Sequence, residues 1–220
     1  MLNIAIDGHV ASGKSVVAKE IAKRLNIKVL DTGAIYRGLA CEFKEKGLGE
    51  PNEKVVSEFI KDVDVAVEFI DEQQHVIVNK TDYTPYLRLE EISTLSSKIS
   101  PYPALRGKVL EIQRAFAKEN DCVMEGRDIG TDVLPNADVK IFITASAEVR
   151  ARRRYEQVKD GSVSFEKVLA DLIERDYKDE HRTVAPLKPA QDSIILDTSN
   201  MTLDEVIERC ISIIEGKRKY

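Results

Sequence analysis

The sequence predicts a parallel α/β sheet covered by helices on both faces, with a small antiparallel piece inserted into it. Three observations carry this expectation. Short apolar strands alternate with amphipathic helices along most of the 220 residues. A glycine-bounded loop joins the first strand to the first helix. One stretch, roughly residues 60–100, breaks the alternation and shows the period-two pattern of a hairpin instead.

The elements follow in order. Residues 2–7 form a short apolar strand ending in Asp7. Residues 15–25 place Val16, Val17, Ala18, Ile21, Ala22 and Leu25 at helical spacing. Residues 28–31 read as a second strand, and 34–46 as a helix stopped by Gly47 and Gly49. Residues 63–70 alternate through Val63, Val65, Val67 and Phe69. They face a strand at 76–79 across a polar turn that includes His75. A third strand is expected at 83–87. Buried strands follow at 122–124, 139–144 and 194–196, with a last helix from about 203 to 215.

Composition narrows the class. The length suits one large domain able to bury a core. A net charge of -5, from 33 basic and 38 acidic side chains, argues against a nucleic-acid coat or a basic membrane-surface protein. Cys41, Cys122 and Cys210 are widely spaced, with no CxxC pair, so neither a disulfide framework nor a zinc site is expected. No run approaches 18 apolar residues, and the N-terminus lacks a signal-peptide pattern. A reducing cytoplasm is the expected location.

Gly8-His9-Val10-Ala11-Ser12-Gly13-Lys14-Ser15 matches G-x-x-x-x-G-K-[ST] between a strand and a helix, the context that motif requires. Glycines let backbone N–H groups converge on one anion-binding hollow. Gly8, Ala11, Ser12, Gly13, Lys14, Ser15 and Val16 are the expected donor-nucleotide residues. Lys14 offers a charge to the β- and γ-phosphates of ATP, and Ser15 a hydroxyl to Mg²⁺. A P-loop alone means only "nucleotide". Asn79-Lys80-Thr81-Asp82 spells the guanine-reading NKxD pattern, but it closes a hairpin rather than following a buried core strand.

Arginines stand where strands end or charged loops begin. Arg37 closes Asp31-Thr32-Gly33-Ala34-Ile35-Tyr36-Arg37, and Arg127 follows the strand at 122–124. Arg175 and Arg182 flank a charged stretch. Each alone also reads as a surface ion pair. Together they suggest a second phosphate site beside the P-loop, because the guanidinium fork matches phosphate oxygens. Two polyanions brought together suit phosphoryl transfer, and a phosphate acceptor needs no strong base. His181 accordingly reads as a loop residue. The run Arg150, Arg152, Arg153, Arg154 reads as a solvated helix face or as arginines on a lid.

These residues resemble the bacterial cytidylate kinases (CMP kinases) of the nucleoside monophosphate kinase family. The resemblance covers almost the whole chain. It is carried by 6–8 with 13–15, by 31–37, by Glu125-Gly126-Arg127-Asp128-Ile129-Gly130-Thr131, and by Arg182-Thr183-Val184-Ala185-Pro186-Leu187. It implies a three-layer P-loop kinase fold with a parallel core sheet, an acceptor-binding insert near 60–104 and a short lid near 152–167. It implies ATP and CMP or dCMP as substrates, with Mg²⁺. Thr32, Arg37, Arg127 and Arg182 resemble ligands of the CMP phosphate, with Tyr36 beside them. Ser97, Arg106 and Asp128 resemble cytosine readers, and Arg175 and Asp179 resemble ribose contacts. Arg153 and Arg154, with Arg150 as a further candidate, resemble lid arginines over the ATP phosphates. Lys14, Arg127, Arg153, Arg154 and Arg182 are then the catalytic set. Cytosine chemistry fits this reading: a carboxylate takes the N4 amino group, and Arg106 and Ser97 donate to N3 and O2.

The chain departs from that family in its loop, where His9 and Val10 stand in place of Pro and a small residue. Val16 replaces a usual Thr, and Glu125 an Asp seen in some members. Two other readings stay open. One is a P-loop kinase for UMP, another nucleotide or a small metabolite. The other is a nucleotide-dependent regulatory switch. No nucleic acid, membrane or obligate protein partner is expected.

Overall fold

A computed structural model describes residues 1–157 and 163–218. The chain forms two compact units, Met1–Val29 with Asn120–Tyr220, and Leu30–Glu119.

The first unit carries a parallel sheet. Its strands are β1 (Asn3–Gly8), β6 (Cys122–Gly126), β7 (Val139–Thr144) and β8 (Ile194–Asp197), with β2 (Lys28–Asp31) beginning in this unit. The order is β2-β6-β1-β7-β8. β1 runs centrally, Ile4 beside Val123 on one side and Val139 on the other. Its Ile4, Ala5 and Ile6 are fully buried, which is why the strand reads as an unbroken apolar run. Helices α1 (Lys14–Leu25) and α8 (Leu203–Arg218) bring Val17, Ile21, Ile207 and Ile214 onto this core. Helices α6 (Ala147–Gln157) and α7 (Phe165–His181) complete the unit. Of the expected lid at 152–167, residues 158–162 lie outside the described residues.

The second unit holds helices α2 (Thr32–Glu45), α3 (Glu53–Lys61), α4 (Glu90–Ile99) and α5 (Pro103–Glu119) around an antiparallel sheet β3-β4-β5. Its strands are β3 (Val65–Ile70), β4 (Gln73–Val78) and β5 (Thr81–Asp82). Two boundaries differ from expectation. The first turn is only Asp71 and Glu72, both at positive φ, as a two-residue hairpin turn demands. His75 therefore lies within β4, opposite Glu68, half-buried and 2.8 Å from Asp82. The third strand is Thr81–Asp82, and a 3-10 turn occupies Thr84–Tyr86 where a strand was expected. Asn79 and Lys80, again at positive φ, form the tight turn before it. Tyr83 is buried, and its hydroxyl donates to Glu42 at 2.7 Å.

All three cysteines are buried and reduced, Cys41 in the second unit and Cys122 and Cys210 in the first. Burial pushes their thiols up to about 11, 12 and 12 respectively. No helix among the described residues is long and apolar enough to cross a membrane.

Candidate active site

The phosphate loop opens where β1 has no room for a side chain. A Cβ on Gly8 would lie 2.0 Å from the Ile143 carbonyl oxygen of the neighbouring strand. Gly13, at φ 91, is the N-cap of α1 and supplies no side-chain cap. The first turn of α1 also has no acidic residue. Its leading N–H groups and dipole are thus left to an anion. Ala11 takes the left-handed backbone at φ 56 without being glycine.

Lys14 is 5% exposed, and its Nζ donates to the His9 carbonyl at 3.0 Å. Burial pushes its ammonium down to about 7; Arg127 and Arg175 add to the push, while Glu125 and Asp179 oppose it. Ser15 and Val16 are exposed at the start of α1, whereas the Ser12 hydroxyl is buried.

The first unit gathers most of the expected acceptor and catalytic residues. Arg127 Nε donates to Asp179 Oδ2 at 2.9 Å. Against the effect of burial, the Arg127 charge and hydrogen bond hold the Asp179 carboxyl below its ordinary value. Arg182 lies 3.2 Å from Asp128, and both side chains are 9% exposed. Its Nε donates to the Ala185 carbonyl. Arg175 precedes Asp179 by one turn on α7, so the two share a face. These ion pairs are only partly exposed, and Arg127, Arg175 and Asp179 lie within electrostatic reach of Lys14.

Asp7, at the end of β1 in the 6–8 motif, gains a structural role in the fold. Its carboxylate accepts from the N–H groups of Ile129 and Gly130, at 2.8 and 2.7 Å. It thereby fixes the turn of π-helix Ile129–Val133, directly after Arg127 and Asp128. Burial pushes the Asp7 carboxyl up to about 6, although those two N–H groups oppose the shift.

The arginine run divides. Arg150 is 5% exposed and bonded to Asp176 at 2.5 Å and to the Ala145 carbonyl at 2.8 Å. It is a structural buried cation rather than a solvated or lid arginine. Arg153 donates to the Ser12 carbonyl at 3.4 Å and to the Thr198 carbonyl at 2.8 Å, so it touches the phosphate loop. Arg152 sits over the Phe165 ring, and Arg154 is exposed. His181 ends α7 rather than occupying a loop, and its ring stacks on Tyr177.

The second unit presents its own group. Asp31 caps α2 by accepting from the Ala34 N–H at 3.0 Å, and its other oxygen pairs with Arg37 at 2.7 Å. Gly33 leaves room for this pair, since a Cβ there would come 2.8 Å from the Arg37 guanidinium and 3.1 Å from the Asp31 carboxylate. Gln74 on β4 brackets the Asp31 backbone, accepting from its N–H and donating to its carbonyl. Thr32 is buried, and Tyr36 lies under the Arg106 guanidinium at 5.9 Å. Arg106 also reaches the Ser100 carbonyl. The Ser97 hydroxyl donates to the Ser93 carbonyl of its own helix. Asp31 opens the 31–37 motif but its capping role shows only in the fold, and Gln74, a strand-borne amide, stands in no motif.

Known proteins with this pattern agree. The cytidylate kinase family model matches residues 4–216. A cytidylate kinase from Thermotoga neapolitana is 42% identical over 220 residues, covering 98% of each chain. One from Carboxydothermus hydrogenoformans is 39% identical over 218 residues, again covering 98% of each. Among solved structures, an uncharacterized protein from Eubacterium ventriosum superimposes with a TM-score of 0.53 at 14% identity, covering 98% of this chain and 99% of that one. That likeness speaks to the fold alone. With the loop, the partly buried arginines and the family match in agreement, the chain belongs to the cytidylate kinase family.

Proposed function

We propose that the chain transfers the γ-phosphoryl group of ATP to the phosphate oxygen of CMP or dCMP, giving ADP and CDP or dCDP. One observation supports this most: the Lys14 ammonium, depressed chiefly by burial, is depressed further by the nearby charges of Arg127 and Arg175. Cations suited to an acceptor phosphate thus stand beside the donor lysine, as transfer between two polyanions needs. The N–H groups of Gly13, Lys14 and Ser15 cradle the donor phosphates, and Lys14 leaves the His9 carbonyl to meet them. Arg153, with Arg154, shares charge on the moving phosphoryl.

Thr32, Arg37, Arg127 and Arg182 take the acceptor phosphate, with Tyr36 beside them. Arg175 and Asp179 take the ribose. Ser97, Arg106 and Asp128 choose the base. The segment 60–104 serves the acceptor, and 152–167 serves as the lid. The donor set fits Mg²⁺: Ser15 offers one exposed hard oxygen, and that cation takes few protein ligands beside phosphate oxygens and water. Mg²⁺ held at the Ser15 hydroxyl would neutralise negative charge on the donor phosphates. The reaction needs no membrane and no nucleic acid, and the cytoplasm is its proposed location.

The test is coupled ADP release with CMP, dCMP, UMP, AMP and GMP as acceptors. Rapid turnover is expected with CMP or dCMP and little with the others. Slow hydrolysis that ignores every acceptor would overturn the kinase reading and favour a switch.

A further inference from the structure

The half of the phosphate loop that precedes Gly13 contains no glycine after Gly8. Its backbone is held instead by side chains from elsewhere in the first unit. His9 Nε2 lies 2.8 Å from Glu180 Oε1 on α7. The His9 ring meets Phe142 edge-on at 5.6 Å, and its Nδ1 lies 3.3 Å from the Thr144 hydroxyl. The Val10 N–H donates to Asp176 Oδ1 at 3.3 Å, also on α7. The Val10 carbonyl accepts from Arg150 at 3.2 Å, and Arg150 donates onward to Asp176 Oδ2. Two consecutive loop residues are therefore gripped by residues one helical turn apart.

Asp176 and Glu180 share a face of α7, being four residues apart. Arg175 and Asp179 share the next face, about 100° around the helix. Asp179 is the partner of Arg127. One helix thus holds the phosphate loop with one face and the acceptor-side cations with the other. The link reaches the donor lysine directly, because Lys14 rests on the carbonyl of His9 itself.

We propose that Glu180 and Asp176 are positioning residues for the phosphate loop, setting nucleotide affinity through His9 and Val10 and coupling the loop to α7. Both act through the loop residues they hold. The inference rests on the kinase reading above, but nucleotide binding tests it without any acceptor.

The decisive variants act on the exposed end of the link. The Glu180 side chain is 42% exposed, so its removal leaves the core intact. Binding of a non-hydrolysable ATP analogue to the full chain is measured by calorimetry. Glu180→Ala is expected to weaken it about three- to fivefold, the scale of one partly exposed pair. Glu180→Gln keeps an acceptor for the His9 N–H and should restore most of the loss. His9→Ala should match Glu180→Ala, and the double variant should be no worse than either single one. Asp176→Asn should weaken binding further, with its thermal midpoint measured alongside because it leaves Arg150 buried beside a neutral partner. Unchanged affinity in Glu180→Ala, or additive losses in the double variant, would overturn the proposal. A wild-type chain that binds the analogue but ignores CMP would sink the acceptor reading and leave this one standing. A wild type that binds no nucleotide would overturn both.

Discussion

Replacing Lys14 with methionine should stabilise the ligand-free protein, and by an amount that depends on pH. The lysine is buried, and its ammonium falls from 10.5 to about 7. The folded state therefore gives up a proton that the unfolded chain keeps across that window. Where the unfolded state binds more protons, stability rises with pH. Below the window, keeping Lys14 charged in the fold costs about 5 kcal/mol, at about 1.4 kcal/mol per tenfold change in proton affinity. Near pH 9 most of the folded protein already carries the neutral amine, and the same linkage leaves a cost of about 2 kcal/mol. Methionine keeps the apolar stem and volume but cannot be charged. The stability gained by Lys14→Met should accordingly shrink by about 2–3 kcal/mol between pH 6 and pH 9. Urea unfolding of both proteins at three pH values, with matched m-values, measures this. A difference that stays constant across that range would refute the argument that Lys14 is held against its own charge. Turnover of the variant with ATP and CMP should meanwhile fall by about 10²–10³, the usual effect of losing one such electrostatic donor.

Gly8→Ala places a methyl group 2.0 Å from the backbone oxygen of Ile143, and no side-chain rotation can relieve that. It should lower stability by about 3 kcal/mol or more, read as a loss in thermal midpoint, whereas a near-native midpoint would mean that β1 and β7 can separate there. Asp128→Asn should narrow the preference for CMP over UMP, because an amide can donate to O4 of uracil, while reducing CMP use. An unchanged ratio of kcat/KM values would remove Asp128 from the base site and leave it as the partner of Arg182.

Much of the first unit was legible in the sequence because its central strands β1, β6 and β7 are buried on both faces. Ile4-Ala5-Ile6 is a continuous apolar run, and β7 carries Val139 and Ile141-Phe142-Ile143 around a single buried Lys140. The hairpin edges were harder. Gln73, Gln74 and His75 are polar, yet they pair in β4 because their backbone bonds to β3 and only Val76 and Val78 need the core. Asp71 and Glu72 bend the chain through positive φ without glycine, so the turn lacked its usual signature. In the site, motif residues such as Lys14, Arg127 and Arg182 were found by their neighbours in sequence. Asp7, Asp31 and Asp176 act through partners up to 166 residues away, and only folding brings those partners close. Arg150 was misread with its neighbours because four arginines in one helix look alike until the helix face is known.

The three buried thiols turn this chain into a reporter on its own breathing. A thiol raised to about 11 or 12 offers almost no thiolate at neutral pH, and a buried sulfur admits no reagent. Each cysteine can be alkylated only while its surroundings are open. Cys41 samples one unit, and Cys122 and Cys210 the other. Their separate labelling rates, read by mass spectrometry, would time the opening of each unit in the unmodified enzyme, with no probe added. Nucleotides that tighten one unit alone would slow one set of labels and spare the other.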